Sequence, residues 1–371
     1  MPTPGRLGGT ARLYKAIAVL AVLAVLTYFV TLSACSPSQT RSDDSMPAHH
    51  TDNGFRNLYQ DAMKGSLFTY VRMRFFGNEE WADYEATADR VPTVATPIEQ
   101  VMNPPADKPQ ITWIGHATVL VQYHGINILT DPMFSERASP ISFLGPKRAT
   151  PPSLNVEQLP HIDLVLTSHN HYDHLDKATV QAIGNQAVWA VPLAYKQWFA
   201  NLGVTNVMEF DWWDEKNIAG ARVTATPTQH WTGRGLGDRY KQLWAGWAVQ
   251  IDGFKFWFGG DTGYNEKIFT EVGRRLGPFD LGLIPVGGYA PRWFMQAMHL
   301  NPEEAVQVHR DIRANFSLGI HWGAFPLTAE PIDEPPERLA QAARALNGSR
   351  FITVPVGKTL TLAVDSAAAA P

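Results

Sequence analysis

The chain is poor in cysteine, in charge and in any excess of positive charge. A single cysteine, Cys35, stands in 371 residues, so no disulfide forms within the chain and a thiolate metal site is excluded. Thirty-one Lys and Arg face 35 Asp and Glu, a formal net charge of −4, whereas a nucleic-acid binder carries a basic excess. No nucleic-acid partner is therefore expected. Charged residues make up 18% against 45% hydrophobic, which excludes a disordered, collagenous or coiled-coil chain and leaves material for a large core. No short-period repeat is visible. Against these shortages stand 12 tryptophans and 12 histidines.

No acid occurs before Asp43, while Arg6, Arg12 and Lys15 lead into an apolar run over residues 16–32. That is the pattern of a secretory signal, at the lower edge of what spans a bilayer as a helix. The junction Leu32-Ser33-Ala34-Cys35 resembles the lipobox of bacterial lipoproteins. The resemblance implies removal of residues 1–34, a lipid anchor at Cys35 and, from Ser36, a place on the outer membrane of the cell envelope, facing the periplasm. An uncleaved signal-anchor helix is the other reading. Residues 35–53 are polar and read as a flexible tether in which His49 and His50 are solvated. Residues 54–110 read as an extension packed on the domain. Its aromatic and basic stretch includes Phe68, Tyr70, Arg72, Arg74, Phe75 and Phe76, a composition that also suits a headgroup region. Five prolines between Pro92 and Pro109 mark an irregular connection.

The domain itself is expected over residues 111–365. Residues 111–121 and 126–129 are β-rich, 163–167 reads as a buried strand, and 222–226, 281–286 and 317–321 are further strand candidates. Asp252-Gly253 between two apolar segments is a hairpin signal. Helices are expected over 265–276, 302–312 and 335–346. The second opens on Asn301, Pro302 and Glu304, a capping arrangement that makes Glu303 and Glu304 structural. Interleaved strands and helices predict a layered α/β fold with mixed sheets.

Ser168-His169-Asn170-His171-Tyr172-Asp173-His174 places three histidines and an aspartate at the end of a buried strand. In extended backbone His169 and His171 project to one side and can share an ion, while Asp173 and His174 can serve a second. Such groups, crowded together without a cation, would repel and desolvate at high cost. His230, Asp261 and His321 each follow an apolar strand, where loops converge on a sheet edge, and complete the candidate metal set.

This order, HxHxDH followed by separated His, Asp and His, resembles the metallo-β-lactamase superfamily. Longer strings resemble its N-acyl-phosphatidylethanolamine-hydrolysing phospholipase D family: Trp113 to Thr118, Leu129 to Pro132, Ser168 to Asp176, Gly260 to Gly263, and Pro291 to Met295 with His299 and Pro302 to Val306. The resemblance spans residues 90–350. It implies an αββα sandwich of two mixed sheets and two zinc ions per chain, one on His169, His171 and His230, the other on Asp173, His174 and His321, with Asp261 bridging. It gives Asp131 an orienting role, makes Asp173 and Asp261 catalytic, makes Tyr172 and His299 substrate contacts, and suggests a homodimer. His116 is expected to be structural or to support a ligand, and His124, His161 and His309 to be surface or packing residues. Two positions depart from the family, Met298 where it usually has Gln and Asn301 where it often has Asp, and both bear on substrate rather than metal. Two zinc ions about 3.5–4 Å apart would activate a water for attack on phosphorus. No histidine is followed two residues later by lysine, so the unrelated HxK phospholipase D chemistry is excluded. The expected substrate is an N-acylated phosphatidylethanolamine in a membrane, yielding an N-acylethanolamine and phosphatidic acid. The alternatives are a lactonase or other hydrolase of the same fold, and a non-catalytic envelope lipoprotein.

Overall fold

Thr118–Tyr123 shows how this sequence writes a strand. Val119, Val121 and Tyr123 turn into one apolar cluster, and Leu120 turns the opposite way into a second. The same two-sided alternation recurs through the computed structural model, which describes residues 46–60, 69, 72, 73, 77, 81–235, 237–346, 348 and 350–363. The expected signal segment, Cys35, the first part of the expected tether, and Phe68, Tyr70, Arg74, Phe75 and Phe76 lie outside the described residues.

A short hairpin, β1 (His50–Thr51) and β2 (Gly54–Phe55), precedes two seven-stranded sheets. In the first, β3 (Gln110–Gly115), β4 (Thr118–Tyr123) and β5 (Ile126–Thr130) run antiparallel. Then β6 (Leu164–Leu166), β7 (Val188–Pro192) and β8 (Val207–Phe210) add in parallel. The second sheet repeats the scheme. β9 (Glu215–Ile218), β10 (Ala221–Thr226), β11 (Gly246–Ile251) and β12 (Phe254–Phe258) meander, and β13 (Phe279–Pro285), β14 (Ala314–Ile320) and β15 (Arg350–Ile352) add in parallel. The chain then returns as β16 (Thr359–Thr361) to the free edge of β3.

The sheets face one another across the main core, which takes Val119, Val121 and Ile128 from the first and Val223, Trp247 and Leu283 from the second. Helices α1 (Ile98–Met102), α2 (Lys177–Ile183) and α3 (Lys196–Ala200) cover the outer face of the first sheet through Val101, Val180 and Phe199. On the second, α4 (Glu266–Leu276) packs Phe269 on Trp257, a four-residue turn α5 (Arg292–Met295) follows, and α6 (Pro302–Asp311) and α7 (Glu334–Ala342) complete the outer layer. The result is the expected αββα sandwich.

The capping box of α6 forms as predicted, with Asn301 accepting from the Glu304 N–H and Glu304 from the Asn301 N–H. The Asp252-Gly253 hairpin joins β11 to β12. Two expectations are corrected. The β-rich stretch 111–121 breaks at His116, whose φ of 53° turns the chain between β3 and β4. His49 and His50 are not solvated tether residues either. Their Nε2 atoms lie 2.5 and 2.8 Å from the two oxygens of Asp211, and His49 stacks on Trp212. An apolar ring face and a carboxylate together outweigh the chain entropy of a free tether at this point.

Candidate metal centre

The core fastens the loops that carry the histidines. Three buried tryptophans donate their indole N–H groups to main-chain carbonyls just before or within those loops. Trp113 bonds His116 O at 2.9 Å, Trp247 bonds Thr167 O at 3.0 Å and Trp244 bonds Thr228 O at 3.0 Å. Each ring fills the core while its polar edge holds a site loop.

Beyond the C-terminal end of β6, a hydrogen-bond network fixes which nitrogen each imidazole presents. Asp131 accepts from the Ser168 N–H at 2.6 Å, from the Ser168 hydroxyl at 2.5 Å and from His174 Nδ1 at 2.7 Å. His174 therefore turns Nε2 towards the site. The Ser168 oxygen accepts in turn from His169 Nδ1 at 2.8 Å, and Met298 O accepts from His230 Nδ1 at 2.9 Å, leaving both Nε2 atoms free of hydrogen. His169 Nε2 lies 2.8 Å from His171 Nδ1, which lies 3.4 Å from His230 Nε2. Asp261 Oδ2 closes this group at 3.7 Å from His169 Nε2 and 3.8 Å from His230 Nε2.

The second group shares that aspartate. Asp261 Oδ2 lies 3.2 Å from His174 Nε2, and its Oδ1 lies 3.0 Å from His321 Nε2. Asp173 Oδ2 lies 3.3 Å from His174 Nε2 and 3.5 Å from His321 Nε2. The structure thus brings together all seven residues expected as ligands, in two sets joined at Asp261. His116 belongs to the same cluster, with Nε2 3.0 Å from Asp173 Oδ2, and is placed to orient that carboxylate.

The donor set fits divalent cations. Asp261 Oδ1 is buried without a hydrogen-bond partner, His169 Nε2 faces His171 Nδ1 at 2.8 Å, and His174 Nε2 faces His321 Nε2 at 3.1 Å. Converging nitrogens and carboxylates with nothing else to satisfy them are a cation's coordination sphere. Charge repeats the point. Burial pushes His171 and His230 down to about 3, and His169 well below the ordinary range, so these imidazoles are neutral and ready to ligate. Burial also works against ionised Asp261, but His174, His321 and His299 outweigh it and hold the carboxyl well below its usual range. The same burial opposes charge on His321, yet Asp261 and Asp173 raise it to about 9, and Asp261 and Asp173 likewise hold His174 well above normal. The carboxylates thus draw positive charge to His174 and His321, the charge a cation would supply.

Building this cluster strains the backbone. His116, Asp131 and His321 adopt φ values of 53°, 29° and 61°. Gly260, at φ 57°, lets the Asp261 loop pass Ser168 so closely that a Cβ would strike that side chain.

The other expected site residues sit at the margin. His299 turns Nδ1 towards Asp261 Oδ2 at 3.9 Å and lies against Gly288. Tyr172 donates its hydroxyl to Arg234 O at 2.7 Å, and the Arg234 guanidinium lies 4.0 Å above its ring. Trp293 is 59% exposed, and Phe294 packs with Met295, Met298 and Trp231, the last edge-on to His171. His124 and His161 are exposed, while His309 is buried against Ser317. Sequence reasoning missed Asn57 and Glu330. The buried Glu330 carboxylate accepts from the Gly288, Tyr289 and Ala290 N–H groups and so shapes the loop beside His299 and His321. Acidic residues far along the chain carry no local signal of such a task.

A model of the β-lactamase superfamily domain matches residues 126–322. The chain belongs to the metallo-β-lactamase superfamily, and its class is that of the metal-dependent hydrolases built on this fold. Within it, the chain is 44% identical over 263 residues to the N-acyl-phosphatidylethanolamine-hydrolyzing phospholipase D 1 of Caenorhabditis elegans, covering 67% of this chain and 74% of that protein. It is 37% identical over 240 residues to the mitochondrial N-acyl-phosphatidylethanolamine-hydrolyzing phospholipase D of Saccharomyces cerevisiae, 62% of this chain and 51% of the yeast protein. The isothiocyanate hydrolase from Delia radicum gut bacteria superposes with a TM-score of 0.55 at 20% identity, over 68% of this chain and 98% of that one, and shares the fold.

Proposed function

We propose that the protein is a di-zinc phosphodiesterase of the phospholipase D type, cleaving N-acyl-phosphatidylethanolamine to an N-acylethanolamine and phosphatidic acid. The observation that carries this reading is the pair of donor sets joined at Asp261, in a chain 44% identical to a phospholipase of that name. His169, His171 and His230 would hold one ion, Asp173, His174 and His321 the other, and Asp261 both. A pair of divalent cations so held lowers the pKa of water and neutralises charge gathering on phosphoryl oxygens. The chain's own groups do the rest. Asp131 and Ser168 keep His174 and His169 in the right tautomers. Asp173, oriented by His116, would steer the attacking water, whose proton ends on the departing ethanolamine oxygen. The water oxygen bonds to phosphorus as the bond from phosphorus to the ethanolamine oxygen breaks. His299 and Tyr172, at the margin of the cluster, would contact the substrate in this reading.

Supply of a lipid substrate is favoured by a membrane anchor. Among the described residues no helix is long and apolar enough to cross a bilayer. Anchoring would rest on acylated Cys35, in the cell envelope and on the outer membrane, with a homodimer as the assembly. Full-length protein should incorporate labelled fatty acid and Cys35→Ala should not; a mature protein that retains residues 1–34 would favour the signal-anchor helix.

Hydrolysis in ¹⁸O-labelled water tests the chemistry. Label should enter phosphatidic acid. Label in the N-acylethanolamine hydroxyl means carbon–oxygen cleavage and sinks the mechanism, and lactone opening without phospholipid turnover would transfer the function to a lactonase.

A further inference from the structure

The Ser168–Asp131 network fixes the His169 ring but does not reach His230. His230 stands in the long connection from Thr226 to Gly246, between β10 and β11. Met298 O fixes its ring, but its main chain is held from elsewhere. Asn57 is buried, and its side-chain amide lies along the His230 backbone. Its Nδ2 donates to His230 O at 2.8 Å, and the His230 N–H donates to its Oδ1 at 3.2 Å. An amide presents one donor and one acceptor side by side, so it substitutes for a neighbouring strand at a place where the sheet supplies none. The adjacent Gln229 donates its Nε2 to Gln60 O at 2.6 Å. At the other end of the segment the Phe55 N–H donates to Tyr240 O at 2.8 Å, beyond which Asp211 holds His49 and His50.

From these contacts we infer that Asn57 is a positioning residue for the metal centre, and that the stretch 57–60 beside the His230 loop is a working part of it rather than a leader to the domain. Asn57 donates nothing to an ion. It sets the backbone of His230 so that Nε2 falls beside His169 and His171. The inference rests on His230 being a ligand and is independent of which substrate is cleaved.

The test uses full-length protein loaded with zinc, dialysed against graded chelator and assayed for metal per chain, with the visible absorption of the cobalt(II) form as a second readout. Asn57→Ala should hold the metal of the His169–His171–His230 set about 10–100-fold more weakly, the usual effect of removing a partner that orients a ligand, and should alter the cobalt spectrum. Asn57→Asp keeps the acceptor for the His230 N–H and should recover part of the loss. Asn185→Ala is the control. Asn185 accepts from the Thr205 and Asn206 N–H groups ahead of β7 and β8, at the end of the first sheet opposite the site. That variant should lose stability without losing metal. Wild-type metal retention and cobalt spectrum in Asn57→Ala would overturn the inference, even with a lower Tm. Should Asn57→Ala not fold, wild-type retention in Asn57→Asp overturns it and weakened retention supports it. If His230→Ala keeps both metals, the ligand reading fails and takes this inference with it. If His230→Ala loses one and Asn57→Ala loses none, only the role of Asn57 fails.

Discussion

Among the described residues histidine and aspartate gather in two clusters, and they are built on opposite principles. In the clamp of His49, His50 and Asp211, each imidazole meets its own carboxylate oxygen, and the Trp212 N–H adds a third bond to Asp211. Each Nε2 is matched by a carboxylate oxygen. In the cluster around Asp261, nitrogen faces nitrogen at 2.8 and 3.1 Å, and a carboxylate oxygen is buried without a hydrogen bond. The clamp is complete as protein; the centre is complete only with cations. Residue type does not separate the two, and the pairing of donor with acceptor does.

The largest expected effect belongs to the residue that both metal sets share. Asp261→Ala should remove both ions from metal analysis and bring turnover to background, whereas full activity in a metal-free preparation would break the distinction between centre and clamp. Smaller, but more diagnostic, is the proton balance. His321 at about 9, and His174 raised in the same sense, hold protons at neutral pH that a metal ion must displace. Zinc affinity should therefore rise from pH 6 towards pH 9, and calorimetry in buffers of differing ionisation enthalpy should record proton release at pH 7. Binding without proton release would mean that the cluster carries no imidazolium.

The smallest effect is expected at the clamp. Asp211→Asn should leave zinc content unchanged and cost about 1–3 kcal/mol for a part-buried charged hydrogen-bond network, read by denaturant unfolding. Burial raises the Asp211 carboxyl, yet the His49 bond and its neighbours bring the net shift below normal. A depressed folded-state pKa contributes stability that is present above the ordinary aspartate range and is lost as pH falls through the folded value. Wild type should lose this increment in acid, and Asp211→Asn should not. A third metal equivalent that vanishes in Asp211→Asn would make the clamp a metal site.

Much of this was legible in the sequence for a physical reason. Strands β6, β12 and β14 are largely apolar runs, and the ligands just beyond their C-terminal ends, with His230 beyond β10, inherit a place on one edge of the sandwich. Local chemistry announced itself too, as in the Asn301 capping box and the Asp252-Gly253 turn. What escaped was set by contacts between distant segments. Only Gly115, at φ 137°, hints locally at the tight turn, and the left-handed backbone of His116 is held by Trp113 and by the pairing of β3 with β4. His49 and His50 sit in a polar stretch that looks like tether, and the carboxylate that orders them lies at Asp211, 162 residues from His49. Asn57 and His230 are 173 apart, and an isolated asparagine carries no signal of its partner.

The division of the ligands between the two half-sandwiches has a consequence for how such an enzyme can arise or fail. His169, His171, Asp173 and His174 come from the first half, and His230, Asp261 and His321 from the second. Neither half closes a set alone, and a chain cut short before His321 lacks a member of the second. Partial synthesis therefore yields no partial enzyme. Neither candidate set has all its donors until both halves have docked, and a chimera of two relatives would need matching halves to assemble them.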